Sequence, residues 1–153
     1  MSVELWRRLL PGLWAGWLLC VALLATPAPF AMLAQGEAGR VAGRMLAQEA
    51  YTSLALAALL LVLERVAARR AAAEGGGAQF TAGMMLAAAA LFCTVAGYFG
   101  VQPLMPAARA GQGALSFGQL HAVSAALYGA KVLCVLALSV RATRPAAIRP
   151  PTS

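Results

Sequence analysis

Four long stretches of this chain are almost free of charge, and a backbone crossing lipid must satisfy its own amides, so these stretches have helices as their natural structure. No acidic or basic residue falls between Leu9 and Gly36, and a hydrocarbon core takes about 20 apolar residues to cross. The second uncharged run, between Glu49 and Glu64, is too short by itself. Its helix is therefore expected to begin near residue 44 and to carry Glu49 into or beside the membrane. A third run follows the Arg65, Arg69, Arg70 cluster and the Glu74-Gly75-Gly76-Gly77 break, and Pro103 and Pro106 are expected to stop it. The fourth is closed by Arg141, Arg144 and Pro145. The expected spans are about 9–32, 44–65, 80–102 and 117–140, forming one transmembrane domain over 1–144. The Pro-rich residues 145–153 are expected to be a disordered tail.

Composition agrees: hydrophobic residues make up 61% and charged residues 11% of 153, against roughly 45–50% and about 25% in soluble domains. The fold class is all-α, an integral membrane four-helix bundle. Arginine sets the orientation. Arg7, Arg8, Arg65, Arg69, Arg70, Arg141, Arg144 and Arg149 fall on the side of the termini, and Arg40, Arg44 and Arg109 on the other. Both termini are thus expected in the cytoplasm, with the protein multi-pass in a bacterial inner membrane. The net charge of +7 serves topology and attraction to anionic lipid. It does not point to nucleic acid, because the basic residues flank spans. Arg7 and Arg8 before an apolar run resemble a secretory signal, but the run exceeds a signal's roughly 7–15 apolar residues and is read as a retained span.

Cys20, Cys93 and Cys134 fall in spans without C-x-x-C spacing and read as small buried hydrophobes. Joined with Met84 and Met85 they would offer a soft copper(I) site, a reading disfavoured because such residues usually fill gaps between helices. Gly12 and Gly16 form a G-x-x-x-G pair for close helix packing, read as an internal seam in preference to a dimer face. Gly39 and Gly43 repeat the spacing among Glu37, Arg40 and Arg44, where an interfacial location fits better.

The fourth span carries the strongest pointer to function. His121, Ser124, Tyr128 and Lys131 fall within about 80° on one helical face, and polar groups inside lipid are costly. With Phe117 at the outer surface, His121 lies about 6 Å and Lys131 about 21 Å deep. Glu49 and Gln102, near the outer ends of their spans, are expected at the depth of His121. The candidate site is therefore Glu49, Gln102, His121 and Ser124, an outer-half cluster suited to a small ligand, a proton or a metal, with Tyr128 and Lys131 extending it. A packing-only pair of Glu49 and His121 stands beside that reading. Lys131, about 15 Å from the level of Glu49, is not expected to meet it.

With one histidine, no H-E-x-x-H, no G-x-S-x-G and no phosphate-cradling glycine loop, the chain lacks parts for zinc hydrolysis, triad or nucleotide chemistry. No catalytic residue is assigned, and cofactor and metal are left undefined. A lone His121 could supply one haem ligand, so a haem redox protein is a third, weaker reading. The second is a structural or accessory subunit of a membrane complex, its polar stripe meeting a partner helix.

The order of landmarks resembles the transmembrane protein 205-like family, a small four-span domain of unknown function. They are Leu13-Trp14-Ala15-Gly16, Pro27 to Phe30, Ala38-Gly39 through Gly43, Gln102-Pro103, and Phe117-x-x-Leu120-His121-x-x-Ser124. The resemblance implies a multi-pass membrane protein without settled activity, whose animal members are linked broadly to drug resistance. Tyr128 and Lys131 lie outside that motif.

Overall fold

The computed structural model describes residues 3–76 and 78–143, and the tail expected over 145–153 lies outside them. Four helices are long and apolar enough to cross a membrane: α1 (Val3–Met32), α2 (Gln35–Ala73), α3 (Ala82–Arg109) and α4 (Phe117–Thr143). They run up, down, up and down. Neighbours in the bundle are α1 with α2, α2 with α3, α3 with α4, and α4 with α1. Helices α2 and α4 therefore face each other across the diagonal and point the same way. Gly75 (φ 77°) and Gly111 (φ 70°) end α2 and α3 in the left-handed conformation that a side chain would disfavour.

Two helices depart from their expected limits for identifiable reasons. Helix α2 starts at Gln35 and has 39 residues, about 58 Å, so it exceeds a hydrocarbon core of about 30 Å. Its first turns carry Glu37, Arg40 and Arg44, charges suited to water, with Glu37 and Arg40 3.7 Å apart. In α3 the prolines do not stop the chain. Pro103 and Pro106 sit at the starts of a 3-10 turn (Gln102–Leu104) and a short helix (Met105–Arg109), where their missing amide is not needed. The chain thus continues to Arg109, and Met105 and Ala108 pack on Leu120 of α4.

Both α1 and α3 contain a π-helical stretch, Val21–Ala25 and Val95–Val101. Such widened turns are common beside functional sites. The core lies on the other side of them, toward the Val3 and Thr143 ends. There Trp14, Leu18, Leu60 and Val135 close around Ala57, Ala87 and Ala90. Small residues let the backbones approach where lipid offers no hydrophobic drive for association. Of the two seam glycines, Gly12 faces α4, since a Cβ there would lie 3.6 Å from Ser139 Oγ, whereas one at Gly16 would meet nothing within 4 Å.

A buried carboxylate ties three helices near the α2–α3 turn. Glu64 accepts from Arg7 Nε at 2.8 Å and from Thr81 Oγ1 at 3.0 Å. Thr81 in turn caps α3 by accepting from the Met84 amide at 3.1 Å. Gly83 makes room for this acid: an added Cβ would lie 2.5 Å from Glu64 Oε2 and 2.7 Å from its Cδ. Gly83→Ala is expected to destabilise by about 1–3 kcal/mol. Gly43→Ala, with nothing within 4 Å of its Cβ, should be neutral or gain about 0.5–1 kcal/mol of helix propensity. Thermal unfolding of both variants in one detergent checks the opposite signs, and equal responses would contradict the close approach at Gly83.

Candidate functional site

Glu49 lies fourteen residues after α2 begins, and Lys131 fourteen residues after α4 begins, about 21 Å of rise in each case. Because these helices run in the same direction, the two side chains sit at one level. They meet across the diagonal: Lys131 Nζ donates to Glu49 Oε1 at 2.7 Å and to Oε2 at 2.8 Å. Both are buried, at 2% and 3% exposure. This corrects the expectation that Lys131 lies too deep to meet Glu49. That expectation followed from starting α2 at residue 44, which put Glu49 near the helix end.

The pair is held on several sides. Ser53, one turn along α2, donates its hydroxyl to Glu49 Oε1. Trp14 Nε1 of α1 donates to Ser53 Oγ at 2.9 Å. The Lys131 ammonium, on a residue 3% exposed, stands 4.5 Å from the centre of the Tyr128 ring in a cation–π contact. Tyr128 donates its hydroxyl to the Leu18 carbonyl at 2.8 Å, in the turn before the α1 π-helical stretch. A buried ion pair is costly unless further hydrogen bonds and contacts support it, and here Ser53 supports Glu49 and the Tyr128 ring supports Lys131.

A small cavity of about 40 Å³ adjoins the pair, lined by Glu49, Thr94, Gln102, Ser124, Tyr128 and Lys131 among others. It has room for a few water molecules. A larger, open chamber of about 1030 Å³ lies toward the Gln35 and Phe117 ends, lined among others by Thr26, Phe30, Gly39, Met105, Arg109 and His121. Leu46 and Gln102 line both spaces. The chamber therefore leads from that end of the bundle toward the ion pair. The tight alanine-rich core lies on the far side.

Of the residues singled out from sequence, the structure brings Glu49, Gln102 and Ser124 together with Tyr128 and Lys131 around the small cavity. His121 is elsewhere. It is exposed, stacks on Phe117 with ring centroids 5.9 Å apart, and lines the large chamber. Ten residues of α4 separate it from Lys131, about 15 Å of rise, so the partner of Glu49 is the amine and not the imidazole. Ser53 and Trp14 were not foreseen. Ser53 is readable in hindsight as the i+4 neighbour of Glu49 on one face of α2, while nothing in the sequence links Trp14 to either. No group of three His, Cys, Asp or Glu side chains suited to a metal occurs among the described residues. Cys20 is exposed, and Cys93 and Cys134 are half-buried.

No curated protein and no solved structure matches the chain. A family model described as a domain of unknown function, DUF4149, matches residues 9–114. That stretch holds the first helix from Leu9 on, the second and third helices, and Glu49, and ends before α4 brings in His121 and Lys131. The match covers more than half of the sequence, and the chain, a four-helix protein with spans apolar enough for a membrane, belongs to the DUF4149 family.

Proposed function

We propose that this protein binds a small molecule in the chamber at the Gln35 and Phe117 ends, with the Glu49–Lys131 pair forming the polar floor of the site. One observation carries the reading: the wide chamber and the small cavity beside the ion pair share Leu46 and Gln102 as walls. Binding pockets are typically concave, mostly apolar, and fitted with a few convergent polar groups. Ionisable residues inside a membrane bundle commonly mark a ligand or ion path. The buried alanine-rich core beyond the ion pair favours binding over a through-channel. Ser124, Tyr128 and Lys131 of the α4 stripe turn toward the inner cavity, which favours a ligand site over an accessory subunit that docks a partner helix through that stripe.

Within this reading the termini are cytoplasmic and the protein lies in the bacterial inner membrane, supported by the excess of arginine at the termini side. The chamber then opens toward the opposite face. Kinship with the transmembrane protein 205-like family is part of the same proposal, supported by Gln102-Pro103 and by the Phe117-x-x-Leu120-His121-x-x-Ser124 sequence at the chamber wall.

Gly43→Leu tests the reading. A Cβ at this position meets nothing within 4 Å, and Gly43 lines the chamber, so a leucine would fill the space without displacing a neighbour. Native mass spectrometry of wild-type protein from mild detergent is expected to show a co-purifying small molecule. Gly43→Leu should lose it while unfolding at the same temperature or higher. Identical adducts on both proteins, or none on the wild type, would defeat the proposal.

A further inference from the structure

We infer that the large chamber selects an anionic amphiphile, an alkyl carboxylate or alkyl phosphate, with its head against Arg109 and His121 and its chain along the apolar wall. The inference rests on the binding reading above and adds the chemical class of the ligand. Among the described residues, Arg109 and His121 are the ionisable groups that line this space, and no carboxylate lines it. Phe117 gathers both: the Arg109 guanidinium stands 4.6 Å from the centre of its ring, and the His121 imidazole stacks on it at 5.9 Å. Arg7, Arg8 and Arg40 each have a glutamate within ion-pairing distance. Arg109 has none among the described residues, so its strongest donors remain free for an external anion. Thr26 also lines the chamber, and its Oγ1 is buried without a hydrogen-bond partner among the described residues.

The rest of the lining suits a hydrocarbon chain. Phe30, Leu46 and Met105 supply apolar surface. Gly36 and Gly43 lie on the α2 wall with nothing within 4 Å of an added Cβ, so the protein itself does not fill the space beside that helix. The chamber sits where α2 and α4 begin, at one end of the bundle. A cationic amphiphile would be repelled by the free guanidinium, a neutral one would accept a weaker hydrogen bond from it, and an inorganic anion would leave the apolar wall uncovered.

The test uses the full chain in phosphatidylcholine nanodiscs, with dodecyl phosphate, dodecanol and inorganic phosphate as probes and native mass spectrometry as the readout. Dodecyl phosphate is expected to bind, and Arg109→Gln to weaken it about tenfold, as for loss of one charge-assisted hydrogen bond. Arg109→Lys should keep most of the affinity, and dodecanol should bind weakly and equally to all three proteins. If dodecanol binds as well as dodecyl phosphate and Arg109→Gln changes neither, the anionic class is overturned while the binding reading stands. If inorganic phosphate displaces dodecyl phosphate at equal concentration, the amphiphile is overturned in favour of a free anion. If no probe binds, the inference fails, and the Gly43→Leu comparison alone decides the broader proposal.

Discussion

Replacing Lys131 with methionine is expected to destabilise the bundle by about 3–5 kcal/mol, the usual consequence of leaving one member of a buried ion pair without its partner. The substitution keeps the length and apolar stem of the side chain, so packing across the diagonal changes little. The loss falls on Glu49, which among the described residues would retain only the Ser53 hydroxyl as a donor at 2% exposure. Glu49→Gln should show the mirror effect, leaving an ammonium that keeps the Tyr128 ring but loses both charged acceptors. The double variant Glu49→Gln with Lys131→Met should recover more than half of the loss. A glutamine oxygen can still accept from Ser53, and no unpaired charge remains at positions 49 and 131. Equilibrium unfolding in mixed micelles with increasing SDS measures all three. Additive costs would mean that the two groups are not coupled, and the pair would lose its standing as the centre of the site.

The number and order of the helices were legible because each crossing needs an uninterrupted apolar run and each turn carries charge, proline or glycine. The polar face of α4 was legible for the same reason, since His121, Ser124, Tyr128 and Lys131 stand out against apolar neighbours. The pairing was not. It depended on where α2 starts, and helix propensity does not separate an interfacial turn containing Glu37, Arg40 and Arg44 from a loop. Moving the start from residue 44 to Gln35 carries Glu49 deeper along the helix and changes its partner from His121 to Lys131. The prolines misled in a related way. Pro103 and Pro106 restart helical turns, and this places Arg109 against Phe117 at the chamber. Contacts such as Trp14 to Ser53 join residues far apart in sequence, and only the bundle geometry selects them.

Trp14→Ala is expected to cost about 3–5 kcal/mol, near that of breaking the ion pair, for a different physical reason. The indole is fully buried, at 0% exposure, in one core with Leu18, Leu60 and Val135, to which α2 and α3 contribute Ala57, Ala87 and Ala90. Alanines permit the close approach of the helices but cannot extend into a void, so the space vacated by the ring would stay largely empty. In lipid the penalty is lost dispersion contact more than lost transfer from water, because the unfolded helices remain in an apolar solvent. Trp14→Phe separates packing from hydrogen bonding. It keeps most of the contact and removes the donor to Ser53, for an expected cost of about 1 kcal/mol. Trp17, three residues along and 41% exposed, serves as the control. Its replacement by alanine should change stability by no more than about 0.5 kcal/mol. Should Trp14→Ala and Trp17→Ala unfold together, the indole would not be the element that joins α1 to the Glu49 site.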